Sequence, residues 1–150
     1  MATALRTPRT HATTGNLGFL LAKAATRWNE LLAQGLDARG FGEVRPAYGS
    51  VLLPLFEEDR LRMGQIAARA RLSKQTLSSL VRQMERDGLV RREPDPEDGR
   101  AFVVTLTPRA EEARVASEEL LRDLDARVAE HLTRRTTETV RQALRRLMEM

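Results

Sequence analysis

The chain has 150 residues, 31% of them charged and 41% hydrophobic, with a formal net charge of +4, which suits one domain of ordinary composition. The absence of cysteine excludes disulfides and thiolate redox sensing and argues against a structural zinc site. The sequence contains no run of about 18 apolar residues that could span a membrane and no apolar signal core. We therefore expect a cytoplasmic protein without metal or cofactor.

The first third of the chain predicts a disordered tail followed by two helices. Residues 1–15, rich in Thr and Ala, form the tail. Over residues 16–34 apolar side chains recur at the spacing of an amphipathic helix, and Gly35 marks a loop after it. A second helix begins near Pro46, a residue favoured at the first helical position, and Pro54 should kink or end it. Its predicted buried face comprises Ala47, Tyr48, Val51, Leu52 and Leu55.

The order helix, turn, helix, hairpin over residues 61–106 is typical of a winged helix-turn-helix. After a short strand at 61–63, a helix is predicted over 64–70. The next helix is predicted to begin after the cap residue Ser73 and to end at Gly88.

The remaining elements complete the predicted fold, which is mainly α with a small β-hairpin wing. Strand-like runs at 89–92 and 102–106 form the hairpin. Thr107 and Pro108 are a strong helix start, and they open a helix of about six turns. A final amphipathic helix begins near Arg134.

The helix after Ser73 presents an outer face suited to double-stranded DNA. Around it, from Arg60 to Arg92, basic residues far outnumber the two acids, Glu85 and Asp87. Its polar sector of about 140° holds no acid, as approach to phosphates requires. Gln pairs with adenine, Lys and Arg reach guanine or phosphate, and short hydroxyls donate to phosphate oxygens. The predicted contacts are Ser73, Lys74, Gln75, Thr76, Ser78, Ser79 and Arg82; the alternative is that they are cap and solvent residues.

The hairpin loop carries three acids, Asp95, Glu97 and Asp98, but only one basic residue, Arg100. We predict that Arg100 enters a minor groove, where an inserted Arg is strongly attracted. Asp98 is predicted to hold Arg100 extended through a charged hydrogen bond. Arg91 and Arg92 on the preceding strand are expected to offset the other acids. The alternative is a solvated turn without DNA contact.

The run from Leu72 to Arg92 (LSKQTLSSLVRQMERDGLVRR), together with 95–101 (DPEDGRA) and 106–110 (LTPRA), resembles the MarR (multiple-antibiotic-resistance regulator) family of bacterial transcription factors. The resemblance covers nearly the whole chain from Asn16 and implies a homodimeric winged-helix repressor. Its terminal helices would form the dimer interface, the helix after Ser73 would enter the major groove, and Arg100 the minor groove. Many members release DNA when a small, often aromatic or phenolic, ligand binds between the dimer region and the DNA-binding lobe.

Two features depart from the family or limit what it implies. Pro54 interrupts the second helix, which helps to form the ligand pocket in the family. The absence of cysteine removes the peroxide-sensing branch. The residues predicted nearest to such a pocket are Trp28, Leu32, Tyr48 and Val51; the alternative is that the two aromatic residues are simply core.

One domain is predicted over residues 16–150, with a DNA-binding lobe at 44–106 and a dimerisation region at 16–36 and 108–150. Apolar stripes on both terminal helices are more than one small core can bury, so a second copy is expected to cover them. The alternative is packing of these helices on each other. The predicted dimer contacts are Leu17, Leu20, Leu21, Leu144 and Leu147.

Three functions compete. The first is a homodimeric regulator that represses a pseudo-palindromic operator. The second is a winged-helix protein-interaction module without specific DNA binding, for which the acidic wing leaves room. The third, an enzyme, is disfavoured because the sequence shows no cysteine, no His–carboxylate constellation and no phosphate loop.

Overall fold

The computed structural model describes residues 15–150, which form helices around a small antiparallel sheet. The predicted fold class is confirmed, whereas the predicted tail falls almost wholly on residues 1–14, outside the described residues. The elements are α1 (Leu17–Ala38), a 3₁₀ turn (Pro46–Tyr48), α2 (Gly49–Glu57), β1 (Arg60–Arg62), α3 (Met63–Ala70), α4 (Lys74–Arg86), β2 (Val90–Pro94), β3 (Phe102–Leu106), α5 (Pro108–Leu132) and α6 (Arg134–Met148).

The sheet has the strand order β1–β3–β2, with both pairs antiparallel. Val104, at the centre of β3, lies opposite Leu61 of β1 and Arg92 of β2. The β2–β3 hairpin is therefore held on one side by the short strand that leads into α3. This pairing places the wing loop beside the first turn of α3.

Two helix ends differ from the sequence-based expectation. Gly35, expected in a loop, lies inside α1, which continues to Ala38. A Cβ at Gly35 would overlap the side chain of Leu120 on α5, so the glycine allows close approach of the two helices. Pro54 likewise lies inside α2, which continues to Glu57. Ala47, expected to be buried, is exposed.

The close packing of α1 on α5 makes Gly35→Val a test of the fold. We expect a loss of about 1–3 kcal/mol of stability, the usual cost of overpacking a well-filled site. Thermal unfolding of Gly35→Val, of Leu120→Ala and of the double variant measures it. The double variant should lose less than the sum of the two single losses, since Leu120→Ala removes the atoms that collide with the new side chain. A double variant less stable than the sum of both single losses would contradict this packing argument.

The hydrophobic core lies between α2, α3, α4, the sheet, and the parts of α1 and α5 that cross them. Its fully buried side chains include Val51, Leu55, Ile66, Leu77 and Val104. The terminal helices contribute little: within residues 15–150, α1 buries only Leu36 and α6 buries none of its residues. Their apolar stripes are thus left exposed in the single chain. No helix in the described part is both long and apolar enough to cross a bilayer.

Candidate nucleic-acid interface

Helix α4 forms as the sequence indicates, with a capped start and one buried face. The Ser73 hydroxyl oxygen accepts a hydrogen bond from the Thr76 amide at 3.1 Å, which satisfies one free amide of the first turn. Leu77, Val81 and Met84 face the core. At the other end Gly88 has a φ of +76°, the left-handed conformation that ends many helices.

The predicted DNA contacts lie on the opposite face of α4. Ser78 is half-buried, whereas the other predicted residues are exposed: Ser73, Lys74, Gln75, Thr76, Ser79 and Arg82. The Ser73 hydroxyl also donates to the Thr76 hydroxyl at 2.8 Å. Ser73 and Thr76 therefore have a capping role in the structure, and their contact with DNA stays a prediction.

A concave groove of about 590 Å³ separates α4 from the hairpin. Lys74 and Ser78 line it from α4, and Arg92, Arg100 and Phe102 line it from the hairpin side. Arg62 adds a further cation, and no carboxylate group of residues 15–150 lines the groove. The groove is therefore a positively charged concavity that joins the recognition helix to the wing.

Two of the three acidic residues of the wing, Asp95 and Glu97, pair with Arg62, a residue that the sequence analysis did not single out. Asp95 is only 5% exposed. Its Oδ2 lies 2.6 Å from Nε of Arg62, and a terminal nitrogen of Arg62 donates to Glu97 at 2.9 Å. Asp95 and Glu97 thus neutralise an arginine from β1, while Glu97 and Asp98 stay exposed on the wing.

The strand arginines do not have the role expected of them. Arg92 lies 3.9 Å from Glu85 of α4, and its guanidinium stacks 4.8 Å from the centroid of Phe102. Arg91 is exposed on β2. Within residues 15–150 neither of them forms an ion pair with a wing acid, whereas Arg62 pairs with both Asp95 and Glu97.

Asp98 shapes the turn and does not hold the Arg100 side chain. Its Oδ1 accepts a hydrogen bond from the backbone amide of Arg100 at 3.0 Å, and its carbonyl accepts one from Ala101 at 3.0 Å. This corrects the expected contact with the guanidinium: the bond spans only two residues and closes a local turn. The Arg100 side chain is exposed at the rim of the groove.

The pKa of Asp95 predicts a pH window for wing stability. The Glu97 amide, which donates to Asp95 at 3.0 Å, and the nearby Arg62 hold this pKa below its ordinary value of 3.8. The carboxylate therefore stabilises the fold above that value, and the contribution disappears as the pH falls through the lowered folded pKa. Thermal unfolding of the wild type and Asp95→Asn should differ by a constant amount above about pH 5 and converge below 3.8. A difference that is unchanged down to about pH 2 would contradict this assignment.

The four residues predicted near a ligand pocket are not brought together. Tyr48 and Val51 are fully buried in the core. Trp28 lines an open groove of about 640 Å³ between α1 and the end of α5. Leu32 lines a separate apolar cavity of about 90 Å³ between α1, α2 and α5. The sequence indicated these residues by their chemical type, whereas their positions depend on how α1, α2 and α5 pack.

The predicted dimer contacts lie on the outer faces of α1 and α6. Leu17, Leu20, Leu144 and Leu147 are all exposed in the single chain, and Leu21 is half-buried. Helix α5 contacts both α1 and α6, so one long helix connects the two terminal helices.

Comparison with known proteins finds a similarity over the centre of the chain. Residues 50–101, from α2 through the wing loop, match the model of the MarR family. This part of the chain, about a third of its length, is therefore similar to the MarR family. A probable transcriptional regulator from Pseudomonas aeruginosa is 28% identical, with a TM-score of 0.77 over 89% of this chain and 97% of its own. No curated protein sequence matches the chain.

Two further solved structures share the fold at lower identity. The transcriptional repressor CouR, bound to a 23-mer DNA duplex, is 22% identical, with a TM-score of 0.80 over 92% of this chain and 96% of that one. A cysteine-to-serine variant of MarR from E. coli, complexed with operator DNA, is 20% identical, with a TM-score of 0.76 over 87% and 92%. These likenesses extend the fold match well beyond residues 50–101.

Proposed function

We propose that this protein is a member of the MarR family, a cytoplasmic DNA-binding transcription regulator that acts as a homodimeric repressor of a pseudo-palindromic operator. The observation that carries the proposal is the exposed, acid-free face of α4 beside the exposed Arg100, across a groove that Lys74 and Arg92 also line and that no carboxylate group of the described residues lines. A surface that must approach phosphates needs this one-signed charge. The DNA-bound structures of CouR and MarR, which have the same fold, support this assignment.

The side chains of α4 supply both positioning and base recognition in this proposal. Gln75 is suited to a two-point contact with adenine, and Lys74 and Arg82 to guanine or phosphate. Ser78 and Ser79 are short, so the helix backbone can lie close to the floor of a major groove. Arg100 extends from the wing toward the neighbouring minor groove, where a narrow width concentrates negative potential.

The homodimer supplies two copies of this surface. The exposed stripes of α1 and α6, in the region 16–36 and 108–150, would be covered by the same stripes of a second copy. The lobe at 44–106 would then appear twice, related by two-fold symmetry. Two recognition helices in such a dimer predict half-sites about 10 base pairs apart, or a multiple of that spacing.

A small aromatic or phenolic effector is a further part of the proposal. The apolar cavity of about 90 Å³ between α1, α2 and α5 supports it by position, since it lies between the terminal helices and the DNA-binding lobe. Ligand pockets usually hold about 300–1,000 Å³, so an effector would have to favour a more open arrangement. It would lower operator affinity by shifting the population toward dimers with wrongly spaced recognition helices.

Selection of bound sequences from a random duplex pool tests the regulator proposal. We expect an enriched two-fold motif, bound with an affinity that falls steeply as salt rises, because bound phosphates release counterions. Weak, salt-sensitive binding without enrichment would argue for a nonspecific DNA-binding protein. No binding at any salt concentration would remove the proposal and favour the interaction module.

A further inference from the structure

We propose that Tyr48 is a positioning residue that fixes recognition helix α4 relative to the terminal helices through its hydrogen bond to Asp87. This inference rests on the proposed function. It adds a contact that holds α4 in the orientation that operator binding requires. Tyr48 is the last residue of the 3₁₀ turn between α1 and α2, and Asp87 directly follows α4. The contact therefore joins the chain beside α1 to the end of the helix that would read DNA.

The hydrogen bond joins a buried donor to a half-buried acceptor. The Tyr48 hydroxyl donates to Oδ2 of Asp87 at 2.5 Å, and the tyrosine is 1% exposed. Burial, followed by this hydrogen bond to the carboxylate, raises the pKa of Tyr48 to about 12. The hydroxyl therefore stays protonated at physiological pH and remains a donor.

The position of Asp87 indicates a role beyond helix stability. A carboxylate at a helix C-terminus faces the negative end of the helix dipole, which disfavours it there. Its recorded side-chain partner is Tyr48, 39 residues away in sequence. The acid is thus placed where it costs the helix stability but links α4 to another element.

Thr107 and Arg109, at the start of α5, complete a ring of contacts around the same helix end. The Thr107 hydroxyl, just before α5, donates to the Gly88 carbonyl at 2.6 Å, and its amide donates to Leu89 at 3.1 Å. Arg109, in the first turn of α5, donates to Glu43 at 2.6 Å and so ties α5 to the loop that precedes the 3₁₀ turn. The end of α4 is therefore held by the start of α5 on one side and by Tyr48 on the other.

In a dimer held by α1, α5 and α6, this ring would set the distance and rotation between the two recognition helices. A half-site displaced by one base pair moves by about 3.4 Å along the helix axis and turns about the axis as well. A rigid connection rejects such an operator, whereas a loosened one tolerates it. Tyr48 should therefore influence discrimination between operator spacings as well as affinity.

The test measures the affinity of full-length variants for the selected operator and for versions with one base pair inserted or removed between the half-sites. We expect Tyr48→Phe to bind the native operator roughly tenfold more weakly, the effect of losing one hydrogen bond to a charged group. We also expect its preference for native over altered spacing to fall severalfold. Asp87→Ala should behave similarly, and the double variant should add little, because both remove one interaction.

Two further variants separate positioning from general stability. Asp87→Asn keeps an oxygen that can accept from Tyr48, so it should retain most of the spacing preference. Leu55→Ala removes buried packing from α2 without touching the hydroxyl, so it should lower the melting temperature and leave the preference unchanged. If Tyr48→Phe keeps the wild-type preference, or Leu55→Ala loses it equally, the positioning role is refuted and the regulator proposal stands. If the wild type selects no operator, both proposals fall.

Discussion

Replacing Arg100 with alanine is expected to weaken binding to the selected operator by more than about tenfold at physiological salt. Arg100 is exposed at the rim of the groove, and Asp98 fixes its backbone through the 3.0 Å bond to the amide. The turn should survive the substitution, since this bond does not involve the side chain. The loss of affinity would come from the missing guanidinium, and a dimer would lose two of these groups. Fluorescence anisotropy titration of a labelled operator measures it.

Arg122→Ala is the matched control for this experiment. Arg122 is exposed on α5, outside the lobe at 44–106, and its replacement removes the same charge. Comparing the two variants separates a local contact from the change in net charge, which acts on any polyanion. Equal affinities for Arg100→Ala and the wild type would refute the wing contact. Equal losses of affinity in Arg100→Ala and Arg122→Ala would show that only the net charge matters.

The winged order of elements could be predicted from sequence because each of its signals is local. Ser73 caps α4 through a residue three positions away, and Gly88 ends it in the left-handed conformation. The apolar spacing of Leu77, Val81 and Met84 marks the buried face within a single helix. Such features depend on neighbours in the chain, so periodicity and capping rules reach them directly.

The features that were missed depend on residues far apart in sequence. Arg62 meets Asp95 only because β1 pairs with β3, the partner of β2, and so brings Arg62 close to the residue that follows β2. Gly35 was interpreted as a helix end because glycine disfavours helices, yet contact with Leu120 on α5 gives it a packing role inside one. In both cases tertiary contact decides the outcome.

The ligand-pocket expectation shows the same limit. Trp28 and Tyr48 were selected because they are the only Trp and Tyr of the chain. In the structure Trp28 faces the open groove beside the end of α5, while Tyr48 points to the end of α4. Chemical type indicated that each side chain could contact a ligand, but only the fold shows that they lie at different places.

Leu144→Glu is expected to produce a folded monomer that binds the operator about 10²–10⁴-fold more weakly than the wild type. Leu144 is 39% exposed on α6, and α6 has no buried residue among those described, so a charge there should leave the core intact. In a dimer the same residue would lie in the covered apolar face, where an unpaired carboxylate is strongly disfavoured. Loss of the dimer removes the second half-site contact and hence the gain from linked binding. Light scattering and operator titration report the two effects separately.

Leu53→Glu serves as the control, because Leu53 is equally apolar and 54% exposed but belongs to α2, outside the predicted dimerisation region. It should remain dimeric and keep most of its operator affinity. A second variant, Leu20→Glu on α1, should reproduce the Leu144→Glu result, since both stripes would meet in one interface. A wild type that is already monomeric, or a dimeric Leu144→Glu and Leu20→Glu pair, would refute the assignment of α1 and α6. Monomers that retain wild-type affinity would instead show that one recognition helix and one wing suffice for binding.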